Sequence, residues 1–113
     1  MIERLVEVTY PRPAVAVVVL EGGQDLVTAD ETEELVAELI AAHDLVIVDL
    51  SGTDFADSAF IGVLLRVNRL AAKRGKVVRL QLGSSPVVRR ALEISGVLGL
   101  LNVTGTREEA LAG

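Results

Sequence analysis

Residues 45–65 read LVIVDLSGTDFADSAFIGVLL, and this stretch decides the fold. Leu45 to Leu50 is apolar on both faces of an extended chain, Asp49 apart, as a strand covered on both sides must be. Ser51 to Ser58, Phe55 apart, is small and polar and reads as a loop. From Ser58 onward apolar residues return at helical spacing, at Ile61, Leu64, Leu65 and Leu70. That spacing predicts a helix over 58–74. Gly75 ends it, where a left-handed residue is wanted.

Downstream the alternation repeats. Val77 to Leu82 reads as the next strand, with Arg79 and Gln81 alternating with apolar neighbours. Ser85-Pro86 opens a helix, serine as cap and proline at the first helical position, and it runs to Ser95 before Gly96. Leu100 to Val103 reads as a short edge strand. Thr106-Arg-Glu-Glu109 has the capping-box spacing and opens a short last helix.

Upstream, Thr28-Ala-Asp-Glu31 has the same spacing, and Leu35, Val36, Leu39 and Ile40 continue it as a helix over 29–42. Ala14 to Leu20 is a β-branched run, and Ile2 to Val8 has weaker strand character. Pro11 and Pro13 punctuate a turn between them, which suggests an antiparallel hairpin. Gly22-Gly23 reads as a further turn.

The order is β-β-α-β-α-β-α-β-α over one domain, residues 1–113. It implies an α/β fold: a mixed sheet of four or five strands with right-handed crossovers and about four helices. In such sheets functional groups collect where strands end and helices begin. Three segments meet that description: the loop before Thr28, the loop 51–58, and Gly83-Ser84-Ser85.

Composition narrows the function. Half of the 113 residues are hydrophobic, enough to fill one core without staples. The chain has no cysteine, which removes disulfides, thiolate metal sites and a cysteine nucleophile, and fits the cytoplasm. Met1-Ile2-Glu3-Arg4 lacks the layout of a signal peptide. No apolar run approaches the ~20 residues of a membrane span, so no membrane association is expected. The net charge of −5 argues against direct nucleic-acid binding. The one basic stretch, Arg66, Arg69, Lys73, Arg74 and Lys76, reads as a solvated helix face. Tyr10, Phe55 and Phe60 are too few to stack bases.

The chemical candidates thin out in turn. His43, the single histidine, reads as a helix C-cap with no second metal ligand set. Ala56-Asp-Ser-Ala-Phe60 lacks both glycines of a serine-hydrolase elbow. Phosphate-binding glycine patterns are absent, and no cofactor is implied. Asp49 sits near a strand end, as the phosphoacceptor of a receiver domain does. That chemistry also wants an adjacent acidic pair for magnesium, and only Glu21 and Asp25 are near. Ser58 stands where a helix begins, after Asp54 and Asp57. Either Asp57 or Ser58 caps that helix and does no more, or a phosphate added to Ser58 meets a positive helix end.

The quoted stretch resembles the central signature of the STAS domain as found in bacterial anti-sigma-factor antagonists: an apolar strand ending Asp-Leu-Ser, then Phe-x-Asp-Ser. Gly22-Gly-Gln-Asp25-Leu-Val-Thr28-Ala29 resembles the family's Gly-Glu-(Leu/Ile)-Asp-x-x-Thr-Ala. Residues 87–101 resemble its closing helix, Gly-Leu and apolar strand. The resemblance implies a partner-switching protein with no catalytic activity. An anti-sigma factor that is also a serine kinase would phosphorylate Ser58, and a phosphatase would reset it. The partner-binding surface would comprise Asp25, Thr28, Asp54, Asp57, Ala59 and Phe60. Phe60 stands where the family usually has glycine, and on that surface it would block a partner's backbone or add an apolar anchor. Two rival readings stay open: an unphosphorylated STAS interaction module or scaffold, and a receiver-like domain phosphorylated on Asp49. A homodimer is a further open alternative.

Overall fold

The computed structural model describes residues 5–112, so Met1 to Arg4, with the start of the expected first strand, lie outside it. Strands β1 (Leu5–Arg12) and β2 (Val15–Gln24) form the expected antiparallel hairpin, with Glu7 opposite Val19. The turn falls at Pro13-Ala14. Pro11 lies inside β1, which is an edge strand and can do without one N–H. β2 pairs in parallel with β3 (Leu45–Asp49), β3 with β5 (Val77–Gln81), and β5 with β6 (Val103–Thr104), in the order β1-β2-β3-β5-β6. The expected mixed sheet is therefore present, with six strands among the described residues rather than four or five.

Alternation along the strands builds two cores. Ala16, Val18, Leu20, Val46, Val48, Leu50, Val78, Leu80 and Leu82 are buried in the larger one. Helices α1 (Leu26–Ala42), α2 (Ser58–Lys73) and α3 (Pro86–Ile94) supply its other side chains. Val15, Val17 and Ile47 point the other way and meet Ala110 of α4 (Arg107–Ala112). Both faces of β2 and β3 are thus covered, which is why residues 45–50 are apolar throughout.

Helix α4 is clamped to its sheet face by polar contacts. Arg107 donates to Asp49 Oδ2 at 2.7 Å and to Gln81 Oε1 at 2.6 Å. Arg79 and Arg12 donate to the carbonyls of Ala110 and Leu111 at its far end. Opposite, Arg66 of α2 donates to both oxygens of Glu33 of α1, and this hydrogen bond, with the charge of Glu33, raises its pKa. The pair lies at the surface and adds little stability.

The structure differs from expectation in three elements. Thr53–Ala56, expected as loop, is a short strand, β4, which pairs in parallel with the end of β2. Gly22-Gly23 is accordingly strand, not turn; Gly22 has φ +88°, and the register shifts there as β2 changes partner. Helix α1 starts at Leu26, capped by Asp25, one turn earlier than the Thr28 cap expected. Finally, Leu98–Leu100 is a 3-10 turn, which delays the last strand to Val103.

Candidate functional site

The site follows from the register of β4. Gln24 and Ala56 lie side by side at the ends of β2 and β4. The next residue on each chain is an aspartate, and each aspartate caps a helix. The two helix N-termini, α1 and α2, are therefore neighbours. The Asp57 N–H donates to the Gln24 carbonyl at 3.1 Å and closes the junction.

Asp25 accepts from the Val27 N–H at 3.0 Å. In return, Thr28 Oγ1 accepts from the Asp25 N–H at 3.2 Å, completing a capping box. Thr28 is buried and its hydroxyl engaged, so it shapes the start of α1 and offers no contact surface. Asp57 uses both carboxylate oxygens. Oδ1 accepts from the Phe60 N–H of its own helix at 3.0 Å. Oδ2 accepts from the Leu26 N–H of α1 at 3.1 Å. The choice between Asp57 and Ser58 as cap is thereby resolved for Asp57.

Ser58 is the first residue of α2 and is exposed. Among the described residues no group hydrogen-bonds its hydroxyl. Asp54 is exposed, and Ala59 and Asp57 are half-buried. Phe60 is 0% exposed and packs in the larger core. The expectation that Phe60 lies on the contact surface is therefore corrected: it neither blocks nor anchors a partner. The helical stripe explains why, because Phe60, Leu64, Val67 and Ala71 all fall on the buried face of α2.

Three residues that sequence reading missed stand out here. Leu26 is 73% exposed, Val27 84% and Phe55 53%. Each lies within two residues of Asp25 or Asp57. Leu26 and Val27 precede the helix start expected at Thr28, so nothing assigned them a face. Phe55 sat in a supposed loop, and only the pairing of β4, which sets Phe55 opposite Gly23, gives it a direction.

The remaining candidates settle elsewhere. Gly83, with φ +66°, packs so closely on the loop after β3 that a Cβ there would lie 2.5 Å from Ser51 Cβ. That brings the third rim segment to the same end of the sheet. Asp49 is buried, its Oδ1 accepting from the Ser51 N–H and hydroxyl and its Oδ2 from Arg107. An oxygen so engaged is a poor phosphoacceptor. Among the described residues no group of three or more His, Asp and Glu is placed to hold a metal ion. His43 caps the far end of α1, with Nδ1 2.9 Å from the Leu39 carbonyl and its ring stacked on Tyr10. No helix among the described residues is long and apolar enough to cross a membrane.

Comparison with known proteins bears on this arrangement. A family model described as "Mlab, STAS domain" matches residues 10–102. A curated relative from Bordetella bronchiseptica, named "Putative anti-sigma factor antagonist BtrV", is 37% identical over 94 residues, covering 79% of each chain. The crystal structure of an anti-sigma factor antagonist from Mycobacterium paratuberculosis superposes with a TM-score of 0.77 at 26% identity, covering 98% of this chain and 92% of that one. The anti-sigma factor antagonist SpoIIAA in its unphosphorylated form gives 0.78 at 22% identity, over 95% and 93% of the two chains. At that identity the likeness is one of fold.

Proposed function

The chain belongs to the STAS domain family, and from that premise we propose that it is a cytoplasmic anti-sigma-factor antagonist whose partner binding is switched at Ser58. The observation that carries the reading is the placement of Ser58. Its hydroxyl is exposed at the start of α2, beside the N-terminus of α1, with exposed apolar side chains on the flanking turns. Asp25, Asp54, Asp57 and Ala59 lie around it on the same rim.

The unmodified rim suits a protein partner. Leu26, Val27 and Phe55 lose water when an anti-sigma factor covers them, by about 25 cal/mol for each Å² buried. The partner, itself a serine kinase, holds ATP against Ser58. The Ser58 oxygen attacks the γ-phosphorus, an O–P bond forms as the bond to ADP breaks, and the hydroxyl proton passes to a base on the kinase. A phosphatase returns serine and inorganic phosphate with water. The chain itself catalyses neither step.

Phosphorylation brings about −1.5 to −2 charges to a rim that already carries Asp25, Asp54 and Asp57. The helix dipole and solvent tolerate that charge in the free protein. A partner that must desolvate it does not, and the complex dissociates. Because Phe60 belongs to the core, that departure from the family pattern puts no bulky side chain on the docking face.

Calorimetric titration of the cognate anti-sigma factor tests this. Ser58→Asp should keep the wild-type fold and weaken binding at least about tenfold, the equivalent of ~1.4 kcal/mol. Unchanged affinity would sink the electrostatic switch.

A further inference from the structure

Asp57 stands between two helices, and its two oxygens are not equivalent. The Oδ1 contact to the Phe60 N–H is a cap within α2 and moves with that helix. The Oδ2 contact to the Leu26 N–H crosses between elements and is exposed to water. It attaches the first turn of α1, with its outward-facing Leu26 and Val27, to the residue immediately before Ser58. Among the described residues no other side chain hydrogen-bonds that N–H.

We propose that Asp57 is a positioning residue that couples Ser58 to the first turn of α1: a phosphoryl group on Ser58 releases the Leu26 N–H from the Asp57 carboxylate and frees Leu26 and Val27 from their docking pose. This rests on the reading of Ser58 as the switched residue. The reason is electrostatic. A phosphoryl group on the neighbouring residue places a second anion at the α2 N-terminus, where both charges compete for the same positive helix end. The carboxylate can turn away only by giving up one of its two contacts. The cap is local to its own helix, whereas the Leu26 N–H can take water in exchange, so the link between the helices yields. Phosphorylation then does more than add charge to the docking face. It also disorders the apolar part of that face.

The coupling is separable from the identity of the kinase, because phosphoserine can be placed at position 58 during synthesis. The readout is the Leu26 amide in nitrogen–proton NMR spectra, with its hydrogen-exchange rate. Phosphoserine at 58 should shift the Leu26 resonance and speed its exchange about tenfold, as expected for loss of one charge-assisted hydrogen bond, while the Phe60 amide keeps its protection. Asp57→Asn, which has one acceptor oxygen where two are used, should reproduce the Leu26 change without phosphate and weaken partner binding in the unmodified protein. Asp57→Glu, which retains two oxygens, should restore part of the Leu26 protection. An unaltered Leu26 amide in the phosphoserine protein would overturn the coupling, even if phosphorylation still abolished partner binding. Loss of binding in neither the phosphoserine protein nor Ser58→Asp would instead overturn the functional reading on which it rests.

Discussion

Phe60 and Ser58 lie two residues apart and belong to different worlds. Ser58 starts the helix and faces water, whereas Phe60 is fully enclosed among the aliphatic side chains of the larger core. Replacing Phe60 with alanine leaves a cavity beneath α2 and should cost about 3–5 kcal/mol. Urea unfolding measures this as a lower midpoint with an unchanged slope. A loss below about 1 kcal/mol would mean that the side chain is not enclosed. Asp57 and Ser58 were legible from sequence because capping is a local property of a few neighbouring residues. Phe60 was legible too, four residues before Leu64 on the buried stripe, but its match to the family's surface glycine pointed the other way.

At the scale of elements, the capping chemistry decides where helices start. Asp25 displaced Thr28 as cap because Thr28 serves better as the return half of Asp25's own box, with its methyl group buried. The box of α4 came out as the sequence implied. There Glu109 accepts from the N–H groups of Thr106 and Gly105, and those hydrogen bonds hold its carboxyl below the ordinary range. A lowered folded pKa stabilises the ionised, folded form above the unfolded value. That contribution disappears as the pH falls through the folded value. The amide resonances of Gly105 and Thr106 should therefore titrate in acid together, below the range of a free glutamate. In Glu109→Gln they should not titrate with that midpoint. Strand β4 was the least legible element. Its Thr53, Phe55 and Ala56 pair with Gly22, Gly23 and Gln24, and a glycine pair followed by a polar residue carries no strand signal of its own. Only the folded sheet shows that this pairing aligns Asp25 with Asp57.

For the molecule as a whole, the sheet separates support from function. One face carries three helices and the larger core, the other is closed by α4, and the carboxyl ends of β2, β3 and β4 lead into the Ser58 rim. The interior position of residues 45–50 was readable because an apolar run of that kind must be covered on both faces. The composition of the rim was not, because Leu26 and Val27 precede the helix start expected at Thr28, and the direction of Phe55 depends on a strand pairing that is silent in the sequence. Exposed apolar residues at that rim should matter for binding and little for folding. The double change Leu26→Ser, Val27→Ser should shift the unfolding midpoint slightly and weaken anti-sigma-factor binding at least about tenfold. Equal binding would move the docking face elsewhere. The claim on which all of this turns is that Ser58 receives the phosphate. Its most direct test is mass-spectrometric mapping after incubation with ATP and the cognate anti-sigma-factor kinase. One acid-stable phosphate is expected, on Ser58, absent from Ser58→Ala. A phosphate on another residue, an acid-labile one on Asp49, or none at all would contradict it.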